Sequence, residues 1–344
     1  MRARWILLLV TLLAAAQAEA SPASPAESPT QSRITLRLAT AAPKGTSWAK
    51  AFEEYATHIE KNTGGQVVVK VYYGGTAGDE TEVLARMERG QLDGTISGGP
   101  ICMSVMPSVR VLHIIGMYDS EQQMLDVAKE LTPVFADEAH ARGYALVGVG
   151  TIGPVILFSR NRVTDFASLR KTSLWGWELS NVFNQMAEAM GMKMVLTSLA
   201  AASRAYEDGR VDGFWTTPIA ALGFQWYSQA RYFMPLEAVY LSGCMLLREA
   251  SLDGMSPENR AVLREEGAQL AIRLEVESTK MGRGLVDRVF QKQGLERLPV
   301  SAELMRDFRA EAQQARKALV GKVVPKKLLE QVEQIIAKRR VRER

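Results

Sequence analysis

The residue types that carry out catalysis or bind metal ions occur in this chain without the spacing that those tasks require. His58, His113 and His140 are scattered and form no close motif with cysteine or acidic residues. No serine stands in a G-x-S-x-G turn. We therefore predict no catalytic residue, no metal site and no cofactor, and we expect that the protein is not an enzyme.

One glycine run imitates a nucleotide-binding motif. Gly148 to Gly153 read Gly-Val-Gly-Thr-Ile-Gly and follow a predicted strand. A dinucleotide site needs a helix that starts at the third glycine, because the helix N-terminus binds the pyrophosphate. Pro154 to Phe158 are instead typical of a strand, and no acidic residue ends a strand at the expected distance. We interpret the run as a crossover loosened by glycine.

Two segments, residues 88–94 and 207–213, share the pattern Glu-x-Gly-x-apolar-Asp-Gly. A helix that ends near the glutamate, a left-handed glycine and a turn into a strand would explain each corner. Asp93 and Asp212 hold matching positions, which favours capping of a turn over catalysis. The repeated corner predicts two similarly built α/β lobes with a ligand site between them.

Aromatic, glycine and hydroxyl residues cluster at the predicted strand ends. Trp175 and Trp177 lie near the end of one strand, Trp215 to Thr217 end another, and Ser97 to Gly99 follow the first corner. Ligands of open α/β sheets bind outside the carboxyl ends of the strands. We predict that these residues face a cleft. The alternative is that some of the tryptophans belong only to the core.

The elements that must position these residues alternate between strand and helix. Ile34–Leu38, Trp48–Lys61 and Val67–Tyr72 predict a β-α-β opening, which favours a parallel sheet. Val109–Ile115 has the pattern of a further strand. A long helix is predicted from Pro257 toward Gln293, and the last third of the chain is mostly helical. The fold class is therefore α/β.

The chain has 344 residues, is 47% hydrophobic and carries a net charge of +4. Its start predicts a signal peptide over residues 1–20, cleaved after Ala20, and a disordered Pro/Ser linker over residues 21–33. No later segment is long and apolar enough to span a bilayer. We expect a periplasmic protein that is not embedded in the membrane, with a solvated basic tail over residues 339–344 and no nucleic-acid partner.

The chain contains two cysteines, Cys102 and Cys244. An oxidising compartment permits them to form one intramolecular disulfide. Their spacing does not decide between this disulfide and two independently buried thiols, so both remain open.

From Ile34 to about Lys338 the sequence resembles the periplasmic solute-binding proteins of TRAP transporters, of the dicarboxylate-binding DctP type. The residues that carry the resemblance are the opening strand with its Trp48 helix, the two Asp-Gly corners, the segment Gly191–Leu196 and the run Leu252–Glu258. Their order and spacing along the mature chain make the match specific, although most of these motifs are weak alone.

The resemblance implies a two-lobed clam-shell of the type II-like periplasmic-binding-protein fold, with a long bracing helix and a helical C-terminus. Lobe I would comprise residues 34–146 and 219–252, and lobe II residues 147–218 and 253–338. The protein would close on a small organic ligand and deliver it to the small and large subunits of a TRAP-type membrane permease. The expected ligand-binding residues are Thr40, Ser97, Gly98, Gly99, Val155, Trp175, Trp177, Asn181, Trp215, Thr216 and Thr217.

The chain departs from the family pattern at the positions that usually bind the charged group of the ligand. Trp175 stands where the family typically has an arginine that binds a ligand carboxylate, and a second basic position falls on Pro154 or Val155. An unpaired carboxylate in such a cleft costs several kcal/mol. We therefore expect a less charged and more apolar ligand, unless a cation comes from one of three other residues: Lys44, Arg110 or Arg204.

Two other functions are compatible with the same scaffold. A ligand sensor would present its closed state to a partner other than a permease. A periplasmic enzyme would need an acid–base pair in the cleft, and the sequence contains no such motif.

Overall fold

The computed structural model describes residues 33–281 and 285–342. The predicted signal peptide, residues 21–32 of the predicted linker and the last two residues of the basic tail lie outside the described residues. Two β-sheets, one with five strands and one with six, organise the described chain. They confirm the α/β class, and each sheet with its covering helices is called here the first or the second lobe.

The five-stranded sheet of the first lobe has the order β2-β1-β3-β10-β4. Strand β1 pairs in parallel with β2 and β3, as the β-α-β opening predicts, whereas β10 is antiparallel to β3 and β4. Its strands are β1 (Ile34–Ala39), β2 (Val67–Tyr72), β3 (Gly94–Ser97), β4 (Tyr144–Pro154) and β10 (Tyr240–Arg248).

The six-stranded sheet of the second lobe has the order β11-β9-β5-β8-β6-β7. Strand β6 pairs in parallel with β7 and β8, and β5 is antiparallel to β8 and β9. Its strands are β5 (Ile156–Ser159), β6 (Ser173–Trp177), β7 (Lys193–Thr197), β8 (Gly213–Thr216), β9 (Tyr232–Met234) and β11 (Glu296–Arg297).

Helices cover the faces of both sheets. Helix α9 packs along β4 and α1, α11 packs on α6 of the second lobe, and α12 returns to α4 of the first lobe. The helices are α1 (Ser47–Asn62), α2 (Glu80–Glu88), α3 (Pro100–Val105), α4 (Glu121–His140), α5 (Phe166–Lys171), α6 (Asn181–Ala189), α7 (Ala202–Glu207), α8 (Pro218–Gly223), α9 (Pro257–Met281), α10 (Leu285–Lys292), α11 (Ala302–Leu319) and α12 (Lys326–Arg342). No helix in the described ranges is both long and apolar enough to cross a membrane.

The expected division of the chain between the lobes needs correction at three places. Residues 147–154 stay in the first lobe, because β4 continues to Pro154 against β10. In the expected first-lobe segment 219–252, helix α8 packs in the hydrophobic cluster of the second lobe and strand β9 pairs with β5. Helices α9 and α12, expected in the second lobe, pack on the first. The sequence indicates strands and helices, but long-range pairing decides which sheet they join.

The predicted strand Val109–Ile115 is wrong. Pro107–His113 form a 3-10 helix, in which Val109, Val111 and Leu112 are all buried in the largest hydrophobic cluster. Short apolar runs do not distinguish a strand from a fully buried helical turn, since neither shows a polar face.

The two Asp-Gly corners have the same hydrogen-bond geometry. Asp93 exchanges two bonds with the backbone of Arg37: its N–H donates to the Arg37 carbonyl at 2.8 Å, and its carboxylate accepts from the Arg37 N–H at 2.8 Å. Asp212 makes the equivalent pair with Ser173, at 2.7 and 3.0 Å. Each aspartate therefore fixes the start of its strand beside the neighbouring parallel strand.

The glycine run of residues 148–153 lies within β4, and its role is close packing. Gly148 and Gly150 face helix α9, where an added Cβ atom would lie 3.6 Å from the Gly267 carbonyl oxygen and 3.6 Å from Leu274 Cδ1, respectively. On the helix side, a Cβ atom at Gly267 would lie 2.2 Å from Val147 Cγ1. A Cβ atom at Gly148 or Gly150 would thus meet α9 at ordinary contact distance, whereas one at Gly267 would push the helix off the strand.

Cys102 and Cys244 form a disulfide, which settles the alternative that the sequence leaves open. It joins α3 to β10 with a Cα–Cα distance of 5.8 Å and closes a sequence separation of 142 residues. Cys244 pairs with Ser97 in the β10–β3 ladder. The bond therefore fixes the segment that follows β3 against the sheet.

Removal of this disulfide by the double substitution Cys102→Ser and Cys244→Ser should lower the free energy of unfolding by about 2–5 kcal/mol, because the long loop is then free in the unfolded chain. Urea unfolding followed by circular dichroism, with and without reductant, measures the change. The double variant should not respond to reductant. A wild-type midpoint that is equally insensitive would contradict the prediction.

Candidate functional site

A cavity of about 180 Å³ lies between the two lobes, at the carboxyl ends of β1, β3, β6 and β8. The residues that sequence reasoning places at these ends come together there. Those that line the cavity are Thr40, Ser97, Gly98, Trp175, Trp177, Trp215, Thr216 and Thr217.

The other three expected site residues lie outside the cavity lining, which corrects their predicted position. Val155 is fully buried in the crossing between the lobes, where its N–H donates to the Val239 carbonyl at 2.9 Å. Asn181 is exposed, and its side chain accepts a hydrogen bond from Gln185. Gly99 lies against the His113 ring, 3.1 Å from its Cε1 atom to an added Cβ. The sequence shows neither which strands pair nor which way a side chain points, so it could not locate these three residues.

A column of aromatic rings runs through the second lobe to the cavity. Tyr206 stacks on Phe214, Phe214 on Trp226 and Trp226 on Phe224, with centroid distances of 5.1, 4.7 and 5.0 Å. Trp226 and the half-buried Phe224 reach the cavity wall. Trp175 leans on Trp226 at 5.0 Å. The rings thus form a rigid apolar wall.

Trp175 lines the cavity, and it is also packed into the aromatic core of the second lobe. Its indole is 6% exposed, and its Nε1 donates to Thr197 Oγ1 at 2.9 Å. Trp215 also lines the cavity, but it packs edge-on against Phe183 and Phe308, at 5.2 and 5.4 Å. The alternative that the tryptophans serve the core therefore holds in part for both residues.

Among the residues that the structure describes, no arginine, lysine, aspartate or glutamate lines the cavity. The three candidate cations of the sequence lie outside it: Lys44 is exposed, Arg110 is not among the lining residues, and Arg204 pairs with Asp208 at 2.9 Å. Within the described ranges, no group of three or more His, Cys, Asp or Glu side chains is placed to hold a metal ion. The lining offers apolar surface and neutral hydrogen-bonding groups.

Glu80 does not line the cavity, but it binds two residues that do. Its buried carboxylate accepts hydrogen bonds from Ser97 Oγ at 2.5 Å and from the N–H groups of Gly98 and Ile101, both at 2.8 Å. Burial raises the pKa of Glu80, while these hydrogen bonds act in the opposite direction. The residue holds the loop between β3 and α3, so that Ser97 and Gly98 face the cavity. No motif of the sequence marks Glu80 as a site residue.

His113 is a lining residue that sequence reasoning misses, because no spacing motif includes it. It is buried, and its Nε2 lies 3.0 Å from Ser242 Oγ. Burial lowers the pKa of His113 to about 4, although a hydrogen bond to the Ser242 backbone acts to raise it. The imidazole is therefore neutral at pH 7. Ser242 is fully buried and not among the lining residues, so the pair lacks the accessible nucleophile that catalysis requires.

The lobes touch at the rim of the cavity. A Cβ atom added to Gly223, at the end of α8, would lie 3.0 Å from Thr46 Cγ2 and 3.4 Å from Pro43 Cγ. Deeper in the cleft, a Cβ atom at Gly98 would lie 3.9 Å from Trp177 Cζ3. The structure therefore has the lobes closed on the cavity.

Two sheet-based lobes with a cavity between them, lined by apolar side chains and hydroxyl groups, define a bilobed ligand-binding protein. The family model described as "Bacterial extracellular solute-binding protein, family 7" matches residues 38–322, and the chain belongs to this family. A solute-binding protein from Chromohalobacter salexigens is 22% identical over 228 residues. That match covers 64% of this chain and 66% of the relative, just under two thirds of its length.

Solved structures share the fold along most of the chain. A Bordetella pertussis extracytoplasmic solute receptor that binds pyroglutamic acid has a TM-score of 0.81 at 16% identity, over 88% of this chain and 99% of that one. A TRAP periplasmic solute binding protein from Desulfovibrio salexigens, with bound orotic acid, has a TM-score of 0.81 at 14% identity, over 89% and 99%. One from Haemophilus influenzae, with bound L-gulonate, has a TM-score of 0.80 at 15% identity, over 88% and 100%.

The free energy of unfolding should fall as the pH is lowered from about 6.5 to 4, by up to about 3 kcal/mol from His113 alone. The unfolded chain binds a proton at this histidine below its ordinary pKa of 6.5, whereas the folded chain does so only near 4. Urea unfolding of wild type and His113→Gln across this range measures the contribution. Two parallel pH profiles would contradict the prediction.

Gly223→Val should weaken closure, because its methyl groups meet Thr46 and Pro43 only when the lobes are closed. Overpacking of this kind costs about 1–3 kcal/mol, so we expect ligand affinity to fall about tenfold while the melting temperature stays near that of wild type. Small-angle X-ray scattering should find a more open average shape. Ala200→Val, on an exposed position of the same lobe, is the control, and an equal effect of both variants would refute the role of the rim.

Proposed function

We propose that this protein is the periplasmic substrate-capture subunit of a TRAP-type secondary transporter. Membership in the solute-binding family and the fold shared with TRAP periplasmic proteins support this role. The small and large membrane subunits of such a transporter would be its partners. The cavity between the lobes is where we place the ligand, a small organic solute.

The single observation that carries the ligand hypothesis is that none of the described residues lining the cavity is arginine, lysine, aspartate or glutamate. The three structural relatives named above hold organic acids. A carboxylate moved from water into this cavity would lose its hydration without gaining a cationic partner, which costs several kcal/mol. We therefore infer a ligand that is less charged and more apolar than a dicarboxylate.

Closure would follow from contacts that exist only when both lobes meet the ligand. Thr40 and Ser97 approach it from the first lobe, and Thr216 and Thr217 from the second. A ligand that touches both sets binds the closed state more tightly than the open one, and it shifts the population toward closure by that difference. The crossings at Val155 and residues 235–239 would bend, since they join the two lobes.

Trp175→Arg tests the charge of the site. The guanidinium would stand at the position where the family typically binds a carboxylate, so binding of acids such as pyroglutamate should improve about 100-fold over wild type. Isothermal titration calorimetry measures the change, and circular dichroism checks the fold. Trp175→Phe, which keeps a ring without adding charge, should show no such gain.

The opposite outcome is equally informative. If the wild-type protein binds a panel of carboxylates, and Trp175→Ala leaves those affinities unchanged, the ligand is an ordinary organic acid and the proposed apolar ligand is wrong. Native mass spectrometry of protein purified from its own periplasm tests the capture role itself, because a co-purified small molecule identifies the solute directly.

A further inference from the structure

Aromatic side chains line the cavity from both lobes. Trp48 of the first lobe and Trp177 of the second are half-buried lining residues, and neither packs against another aromatic ring in the described part of the chain. Phe224 ends the ring column at the cavity wall. Aromatic side chains in a cavity wall provide apolar surface on which an aromatic guest can pack.

The volume of the cavity suits a guest with one ring. An apolar cavity of about 150 Å³ in an engineered protein holds one benzene molecule. The cavity here, at about 180 Å³, is slightly larger. It therefore has room for one six-membered ring with one small substituent.

Neutral hydrogen-bonding groups stand at the strand ends of both lobes. The hydroxyls of Thr40 and Thr217 accept backbone hydrogen bonds from Ala42 at 3.2 Å and from Ala220 at 3.4 Å. Neither hydroxyl donates its own proton to another described residue. Thr216 contributes a third hydroxyl to the lining, and His113 contributes an imidazole held neutral by burial. Such groups pair with an uncharged polar substituent and leave no buried charge.

We propose that the ligand of this protein is a single-ring aromatic compound with one uncharged polar substituent, such as an aryl amide, a phenol or an aryl ketone. The inference rests on the proposed solute-capture function and specifies its substrate class. The ring lies against the aromatic walls, and the substituent meets the threonine hydroxyls. Contact with Thr40 and Thr216 together joins the two lobes, so the polar group of the ligand is what couples binding to closure.

Four probes of similar size separate the contributions of ring and charge in calorimetric titrations at pH 7. They are benzamide, cyclohexanecarboxamide, benzoate and phenyltrimethylammonium. Benzamide should bind most tightly. Cyclohexanecarboxamide should bind about fivefold more weakly, because it lacks a π face, and benzoate about 100-fold more weakly, because its carboxylate is unpaired.

Each alternative result has one meaning. Equal affinity for benzamide and cyclohexanecarboxamide would overturn the aromatic ligand and leave the uncharged one intact. Benzoate binding as tightly as benzamide would overturn the uncharged ligand of the proposed function. If phenyltrimethylammonium binds best, the substituent of the ligand is a cation and not a neutral group. If none of the four binds, the single-ring ligand is wrong, whereas the capture role is judged separately by native mass spectrometry.

Phe224→Leu and Phe183→Leu form a matched pair of variants. Both residues line the cavity, but Phe224 ends the ring column, whereas Phe183 packs edge-on against Trp215. Phe224→Leu should abolish the preference for benzamide over cyclohexanecarboxamide, and Phe183→Leu should keep it. An unchanged preference in Phe224→Leu would overturn stacking at the column, provided that circular dichroism shows both variants folded.

Discussion

The paired hydrogen bonds between each corner aspartate and the backbone of the neighbouring strand fix the geometry on which the cavity depends. Asp93 sets the register of β3 beside β1, and Asp212 that of β8 beside β6. Burial acts to raise the pKa of Asp93, but hydrogen bonds and charge from Arg37 hold it below its ordinary value. Both strands then end in the cavity, at Ser97 and Thr216. The geometry that the two corners share thus brings hydroxyl groups from both lobes to the cavity.

Close packing around these strands shapes a cavity lined by aromatic and neutral side chains. Gly267 lets α9 approach β4, and residues of α9 complete the wall. On the other side, stacked rings fill the second lobe up to the cavity, and Trp175 packs beside Trp226. Among the described residues no arginine or lysine enters this lining, so its polar groups are neutral. The solute class that we propose follows from this packing.

Local patterns predicted much of the fold and part of the site. The β-α-β opening, the two corners and the C-terminal helices follow from hydrophobic periodicity and turn chemistry, which act within a few residues. The strand-end rule brought Trp175, Trp177 and Thr216 to the cavity, because side chains at the carboxyl ends of neighbouring strands are necessarily close. Val155 and Asn181, which are expected from the family resemblance, lie outside the lining, since chain crossings and helix faces depend on distant partners.

The sequence by itself determined the α/β class, the repeated corners and the absence of an arginine at position 175, because these are properties of residue type and short-range order. Only the tertiary structure decided that Cys102 and Cys244 pair, that β9 joins the second sheet and that His113 reaches the cavity. Each of these depends on residues far apart in the chain, which meet through packing and strand pairing. The neutral character of the lining among the described residues is likewise a tertiary property, since it depends on which distant residues meet there.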